Sequence, residues 1–70
     1  MKPEWKDAPE WANWLAMDQD GSWQWWDKQP DWASWYWDGG WDFKRKSFNK
    51  GIVHKTEDRE FSINSLEARP

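Results

Sequence analysis

Residues 9–14 (Pro-Glu-Trp-Ala-Asn-Trp) recur almost unchanged at residues 30–35 (Pro-Asp-Trp-Ala-Ser-Trp). Further along, residues 20–25 (Asp-Gly-Ser-Trp-Gln-Trp) recur at residues 38–43 (Asp-Gly-Gly-Trp-Asp-Phe). Each copy holds an aromatic segment, an Asp-Gly pair and a second aromatic segment, which is the pattern of a β-hairpin. The repeat therefore predicts two tandem hairpins with their reversals at the Asp-Gly pairs. The offset falls from 21 to 18 residues, so the second copy is shorter before its turn.

This organisation predicts one small all-β domain, an antiparallel meander of five or six strands built on the two tryptophan-rich hairpins. Residues 1–8 form an irregular lead-in, and Trp5 is expected to dock on the body. Residues 9–29 form the first hairpin and residues 30–48 the second. Residues 49–70 supply a basic turn, short strands and a tail that is either frayed or a short C-terminal helix.

The segment from residue 11 to residue 18 fits two structures. As a strand it places apolar residues on both faces, which predicts a sheet covered on both sides. A helical stripe also fits, because Trp11, Trp14 and Leu15 lie at helical spacing. The strand is favoured, since a turn at residues 20–21 needs a segment with which the chain can pair backwards. Pro30 cannot donate to a ladder and is placed in a connection or at an edge.

The C-terminal third is described by weaker patterns. A turn at residues 49–51 is expected to lead into a short strand at residues 52–55. Apolar and polar residues alternate at 61–64, which predicts one more strand. Alternatively, Ser65 caps a final helical turn that runs through Leu66 and Ala68.

Composition limits both the fold and the partners. The 70 residues include ten tryptophans, most of which must be core in so small a chain, and no cysteine, so disulfides and thiolate metal sites are excluded. The net charge is −3, which disfavours duplex DNA as a partner. Residues 1–43 hold nine acidic side chains against three lysines, whereas residues 44–70 are net basic. No membrane span and no signal peptide is apparent, which fits the bacterial or host cytoplasm.

No catalytic or metal-binding motif emerges. An EF-hand loop starting near Asp18 would lack a third ligand before Gly21 and a bidentate Glu at its twelfth position. His54 is the only histidine, and the serines lie in no nucleophile motif. We therefore expect a non-enzymatic protein without a cofactor or metal.

The repeat separates two kinds of aromatic residue. Rings present in both copies are expected to define the hairpins, whereas unmatched rings are candidates for a binding surface. Residues 44–55 are rich in Lys and Arg and contain no acid. This run is explained either as a solvated edge strand protected from aggregation, or as a cationic strip beside aromatic rings that suits nucleotides. The predicted binding residues are Trp26, Tyr36, Trp37, Lys44, Arg45 and Lys46.

Residues 11–23 (Trp-Ala-x-x-x-Ala-x-Asp-x-Asp-Gly-x-Trp) and residues 65–70 (Ser-Leu-x-x-Arg-Pro) resemble segments of small, tryptophan-rich bacteriophage and prophage proteins of uncharacterised activity. Such proteins often open their motif with Pro-Glu-Trp-Ala. The resemblance implies a phage origin, and, by analogy, a role in host takeover or counter-defence. The chain also resembles the choline-binding repeats of bacterial surface proteins, although it lacks their Gly-Trp openings and regular period.

These observations predict a phage-encoded binding protein that blocks or sequesters a host component in the host cytoplasm. Its target is either a host protein or an anionic, nucleotide-like small molecule. The alternative is a carbohydrate- or cell-wall-binding module whose flat tryptophan faces stack on sugars. A homodimer is expected, because pairing exposed aromatic edges removes them from solvent.

Overall fold

The computed structural model of the protein describes residues 2–33, 36–48 and 59–70. A short 3-10 helix, Trp5–Asp7, precedes the strands. In chain order the remaining elements are β1 (Trp14–Met17), β2 (Trp23–Trp26), β3 (Asp31–Trp32), β4 (Trp37–Asp38), β5 (Arg45–Ser47), α1 (Arg59–Ile63) and β6 (Glu67–Ala68).

The strands form two antiparallel sheets, which confirms the small all-β fold with hairpins. The larger sheet has four strands in the order β5-β2-β1-β6, and the smaller is a ribbon of β3 and β4. Both outer strands of the larger sheet therefore come from the second half of the chain. One short helix, α1, accompanies the sheets and packs near β1.

The first hairpin forms where the repeat predicts it, and residues 14–17 are a strand and not a helix. Trp14 pairs with Trp26 and Met17 pairs with Trp23. Gly21 has a φ of 90°, a conformation that few residues other than glycine adopt. Asp20 Oδ1 accepts hydrogen bonds from the Ser22 amide at 2.9 Å and the Ser22 hydroxyl at 2.6 Å. The Asp-Gly pair thus closes the turn by its own side-chain chemistry.

The second hairpin differs from its prediction. It consists of β3 and β4, and its reversal lies before Trp37, where the Ala33 amide donates to the Tyr36 carbonyl at 2.8 Å. Residues 38–40 do form a local turn, since the Gly40 amide donates to Asp38 Oδ1 at 2.9 Å. The chain then continues to β5, which pairs with β2 of the first hairpin. The prediction that Trp41 heads a return strand of this hairpin is therefore wrong.

The three residues missing from the second copy explain this difference. They correspond to residues 17–19 of the first copy and so include the equivalent of Asp18. In the first hairpin the Asp18 amide donates to the Ser22 carbonyl at 2.9 Å, and the Gly21 amide donates to the Asp18 carbonyl at 2.9 Å. Without that residue the second Asp-Gly turn lacks the pair of bonds that folds the chain back on itself.

The core lies on both faces of the four-stranded sheet, as the sequence predicts. On one face the buried cluster comprises Ala12, Leu15, Met17, Trp23 and Trp25, covered by Trp5, Ala8 and Trp11. On the other face it comprises Ala16, Trp26 and Trp37, covered by Trp14, Trp32 and Leu66. The lead-in therefore covers one side of the sheet and the β3–β4 ribbon covers the other. Pro30 is buried in the connection between β2 and β3.

The N-terminal lead-in and the C-terminal tail are fastened to each other. Trp5 packs edge-on against Trp25 with ring centroids 5.0 Å apart, which confirms that it docks on the body. Its indole Nε1 donates to Glu67 Oε1 at 2.6 Å. Arg69 Nη1 donates to the carbonyl oxygen of Ala12 at 2.6 Å. These contacts hold β6 beside β1, where β6 forms an outer strand of the larger sheet.

The C-terminal elements are opposite to their predictions. Residues 61–63 belong to helix α1 and not to a strand, and the segment expected as a helical turn contains strand β6. Ser65 caps no helix that follows it; its hydroxyl accepts a hydrogen bond from the Met17 amide at 2.8 Å and donates to the Ser62 carbonyl at 2.6 Å. The predicted turn at 49–51 and strand at 52–55 lie outside the described residues.

Candidate functional site

Strand β5 is an outer strand of the larger sheet, and together with the preceding Lys44 it carries a cluster of exposed positive charge. Lys44, Arg45 and Lys46 are all exposed. One edge of β5 pairs with β2, and no described strand pairs with its other edge. We call residues 43–48 (Phe-Lys-Arg-Lys-Ser-Phe) the basic edge.

Local hydrogen bonds hold the start of the basic edge in place. The Asp27 amide donates to the Lys44 carbonyl at 3.1 Å, and the Lys44 amide donates to Asp27 Oδ1 at 2.7 Å. Lys28 Nζ donates to the Asp42 carbonyl at 2.9 Å. Asp42 adopts a φ of 55°, which Asp tolerates better than most residues. The approach to β5 is thus fixed by residues that follow β2.

The pleat of β5 distributes its charges over both faces of the sheet. Arg45 lies opposite Trp26, with its Cζ 5.5 Å from the centre of the indole ring, a cation–π distance. Lys46 lies opposite Trp25, which belongs to the other face. The cations of the basic edge therefore lie on both faces of the sheet and do not form a single flat strip.

Exposed aromatic residues flank these cations. Trp41 is 93% exposed, which is unusual for so large an apolar side chain. Phe43 and Phe48 are 37% and 40% exposed and bracket the basic edge. The Phe43 ring also contacts Trp26, with centroids 5.4 Å apart. A cationic strand with aromatic side chains at both ends is thus presented to solvent.

Two predicted site residues are core. Trp26 is fully buried and Trp37 is 4% exposed, and both belong to one cluster under the β3–β4 ribbon. Trp37 Nε1 donates to the Met17 carbonyl at 3.0 Å. The prediction that these rings offer open faces to a ligand is wrong, because both rings pack between the ribbon and the sheet. Trp26 still contacts a residue of the basic edge, because the Arg45 guanidinium lies over its ring.

The remaining predicted residues are divided between two elements. Tyr36 is 40% exposed and belongs to the reversal before β4, whereas the three cations belong to β5. The hairpin expected to join Trp37 to the basic strand does not form, because β5 pairs with β2. Lys50, His54 and Lys55 lie outside the residues that the structure describes.

Trp41, Phe43 and Phe48 complete the site and are absent from the predicted set. The repeat predicts that Trp41 and Phe43 help to define the second hairpin, because each has a counterpart in the first copy, Trp23 and Trp25. A local signal for Trp41 exists in the sequence: two glycines precede it and an aspartate follows it, which is a turn environment.

One carboxylate under the sheet has an altered titration. Burial raises the pKa of Asp18, with a smaller contribution from the nearby charge of Asp20. Hydrogen bonds oppose this, from the Trp37 amide to Oδ1 at 3.0 Å and from Gln24 Nε2 to Oδ2 at 2.8 Å. The charge of Arg45 also lowers the Asp18 pKa. Asp18 is thus a structural link between the turn of the first hairpin and the ribbon.

The described part of the chain contains no concave pocket and no group of three His, Asp or Glu side chains placed to hold a metal ion. Among these residues, no helix has the length and apolar character needed to cross a membrane.

Comparison of the chain with protein-family models, with curated proteins and with solved structures gave no match.

Proposed function

We propose that this chain is a non-enzymatic, phage-encoded binding protein that blocks an acidic host protein through the basic edge and Trp41. The observation that supports this proposal is the exposed basic edge, in which Lys44, Arg45 and Lys46 lie between exposed aromatic residues at an outer strand. Aromatic residues and arginine are enriched among the residues that dominate protein interfaces. Surrounding positive charge accelerates encounter with an acidic partner.

A protein target fits this surface better than a nucleotide-like ligand. Small-molecule sites are concave and enclose most of their ligand. The basic edge is an outer edge of the sheet, and its cations are divided between the two faces. An extended acidic surface contacts both faces of such an edge, whereas one small anion contacts only one of them.

The phage origin, and with it an action in the host cytoplasm, is supported by the resemblance of residues 11–23 and 65–70 to phage proteins. In the structure these segments meet, because Arg69 of the tail donates to carbonyl oxygens of the Pro-Glu-Trp-Ala segment. Arg69, which belongs to this resemblance, thus makes structural contacts. By analogy with short phage proteins, the role is counter-defence or host takeover.

A second candidate function is supported by Trp41 alone. A tryptophan that is 93% exposed offers a flat apolar face, as carbohydrate- and cell-wall-binding modules do. Sugar stacking does not depend on salt, whereas binding through cations weakens as ionic strength rises. A salt titration of target binding therefore separates the two functions.

The homodimer predicted from the sequence remains a prediction, and the basic edge is a poor surface for it. Antiparallel pairing of β5 with its own copy places cations opposite cations, which is destabilising. A dimer is therefore expected to use another surface. Sedimentation at high micromolar protein concentration measures this directly.

The proposed function is tested by affinity capture from bacterial lysate, with identification of bound proteins and small molecules by mass spectrometry. We expect an acidic host protein that is retained at low salt and lost with Lys46→Glu. The matched control is Lys6→Glu, which makes the same change of charge at an exposed lysine of the lead-in. Equal capture by both variants, or a captured polysaccharide that resists salt, contradicts the proposal.

A further inference from the structure

The outer edge of β5 presents backbone groups in a fixed alternation. The Lys44 carbonyl accepts from the amide of Asp27, the residue after β2, at 3.1 Å, and the Phe48 amide donates to the Trp23 carbonyl of β2 at 2.9 Å. In an antiparallel ladder, every second residue directs its N–H and C=O toward the same neighbouring strand. Lys46 therefore also faces β2, while Arg45 and Ser47 direct their backbone groups away from it.

We infer that β5 binds an extended acidic segment of the target by strand addition, with hydrogen bonds to the backbone of Arg45 and Ser47. This inference rests on the proposed function and specifies its mode of binding. An exposed outer strand is a template for pairing with another chain. Here no described strand occupies that position.

The side chains of β5 define the chemistry of the added strand. Lys44 and Lys46 lie on one face of the pleat and Arg45 on the other. An added strand with an acidic residue at every second position places its carboxylates opposite Lys44 and Lys46. Cross-strand pairs of opposite charge are favourable, whereas like charges opposite each other are not. The same charges exclude a second copy of this β5 as the occupant.

The aromatic residues complete the interface at its ends. Phe43 and Phe48 stand at the two ends of the exposed cationic run, and Trp41 is close to it in sequence. By the alternation of the pleat, Phe43 lies on the same face as Arg45, whereas Phe48 lies on the face of Lys44 and Lys46. Apolar residues of the added strand, on the face opposite its acids, therefore meet Phe43. The preferred partner thus alternates acidic and apolar residues along an extended segment.

The inference is tested with a short synthetic peptide in which valine and glutamate alternate. The peptide is titrated into the full chain, and its binding is followed by NMR. We expect the amide protons of Arg45 and Ser47 to exchange rapidly in the free protein and slowly in the complex. The Phe48 amide, which is already bonded to Trp23, serves as the internal control. A peptide alternating valine and lysine should not bind. Binding of that peptide, or slow exchange at Arg45 and Ser47 in the free protein, overturns the inference.

A backbone variant distinguishes strand addition from binding by side chains alone. Ser47→Pro removes an outward amide that β2 does not use, and proline favours the extended conformation that Lys46 already has. Ser47→Ala is the matched control, because it keeps the amide. Because one hydrogen bond is lost, Ser47→Pro should bind the Val-Glu peptide with an affinity roughly 2- to 12-fold lower than that of Ser47→Ala. Circular dichroism of both variants checks that the fold is retained. The amide-exchange measurement on the unaltered chain tests the inference even if Ser47→Pro does not fold.

The outcomes for the inference and for the proposed function differ. If Lys46→Glu weakens the peptide while Ser47→Pro and Ser47→Ala bind it equally, the basic edge binds acids through side chains and strand addition is wrong. If Lys46→Glu binds the peptide as well as Lys6→Glu does, the charged surface itself is not used, and both proposals fail.

Discussion

The indole Nε1 of Trp37 donates a hydrogen bond to the carbonyl oxygen of Met17 at 3.0 Å, and both residues are buried. This bond joins the β3–β4 ribbon to the end of β1. The Trp37 amide makes a second link, to Asp18 Oδ1. In addition the Trp37 ring packs edge-on against Trp32 with centroids 5.3 Å apart. Trp37 is therefore the residue by which the second hairpin is fixed to the sheet.

Trp37→Ala is expected to destabilise the protein by about 3–5 kcal/mol, which is a large fraction of the stability of a small domain. Trp37→Phe keeps an aromatic ring but removes the donor to Met17, so its cost should be smaller, about 1–3 kcal/mol. Urea denaturation followed by circular dichroism measures both. A Trp37→Ala variant as stable as the unaltered protein shows that the ring is not core.

The stability of the protein should depend on pH through Asp18. Because burial raises its pKa in the folded state, the folded chain binds more protons than the unfolded chain between the ordinary value of 3.8 and the raised value. The free energy of unfolding therefore falls as pH rises through that window. Asp18→Asn keeps an acceptor for the Trp37 amide but does not titrate.

Denaturation midpoints measured from about pH 4 to pH 7 test this contribution. The unaltered protein should lose stability relative to Asp18→Asn as pH rises. Asp20→Asn is a control at an exposed neighbour in the same turn; it should change the slope less, since its charge contributes less to the Asp18 pKa than burial does. A constant difference between the unaltered protein and Asp18→Asn across this range contradicts the prediction.

The titration of Glu67 should change the free energy of unfolding with pH in the direction opposite to that of Asp18. Its pKa is lowered by hydrogen bonds from Lys2 and from Trp5 Nε1, so it adds stability above its ordinary value of 4.5 that is lost as pH falls through the lowered value. Both partners of the Lys2–Glu67 pair are partly exposed, and solvent screening keeps the effect small. Glu67→Gln should cost about 0.5–1 kcal/mol at neutral pH, and less in high salt. An equal cost at acidic pH, measured by urea denaturation, argues against a charge effect.

Arg69 should stabilise the fold more than an exposed arginine usually does. Its Nη1 lies 2.6 Å from the Ala12 carbonyl and 3.2 and 3.3 Å from those of Pro9 and Glu10. The guanidinium also lies over Trp5, with its Cζ 5.8 Å from the ring centre. Arg69→Ala is expected to cost about 1–3 kcal/mol. Arg69→Lys keeps the charge but not the planar donor group, so it should recover only part of that loss. Full recovery by lysine means that charge alone is responsible.

Local chemistry made the first hairpin predictable. Asp20 and Gly21 supply the turn, and residues 14–17 and 23–26 supply strands whose apolar faces both need cover. Trp5 was predictable for a related reason, since a large ring in a polar lead-in gains most by docking on the body. In each case the residues that decide the structure are close in sequence, or have one evident place to pack.

The pairing of the second copy was not predictable from its repeat. Nothing in residues 38–43 specifies that β5 leaves the ribbon and pairs with β2; this depends on long-range bonds such as the one from the Lys44 amide to Asp27. The candidate site shared this difficulty. Its cations could be found as a run of charge, but the burial of Trp26 and Trp37 depends on how the ribbon packs.

Gly39 should be required by the packing beneath the basic edge. A Cβ atom at this position would lie 2.5 Å from Phe43 Cγ and 2.8 Å from Trp26 Cζ3, so the Phe43 and Trp26 rings close over the glycine backbone. Because Trp26 is fully buried, it cannot move aside without disturbing the core. Gly39→Ala is therefore expected to cost about 1–3 kcal/mol by overpacking.

Gly40→Ala is the control that separates overpacking from backbone strain. Gly40 has a φ of 75° and no atom within 4 Å of an added Cβ, so alanine there should cost about 1–2 kcal/mol through the left-handed conformation alone. Phe43→Ala removes one of the two rings with which the added Cβ atom of Gly39→Ala would clash. In a double-mutant cycle, Phe43→Ala should reduce the cost of Gly39→Ala and leave that of Gly40→Ala unchanged. Additive costs for Gly39→Ala and Phe43→Ala would show that the ring does not press on this glycine, and that the aromatic end of the basic edge is held by other contacts.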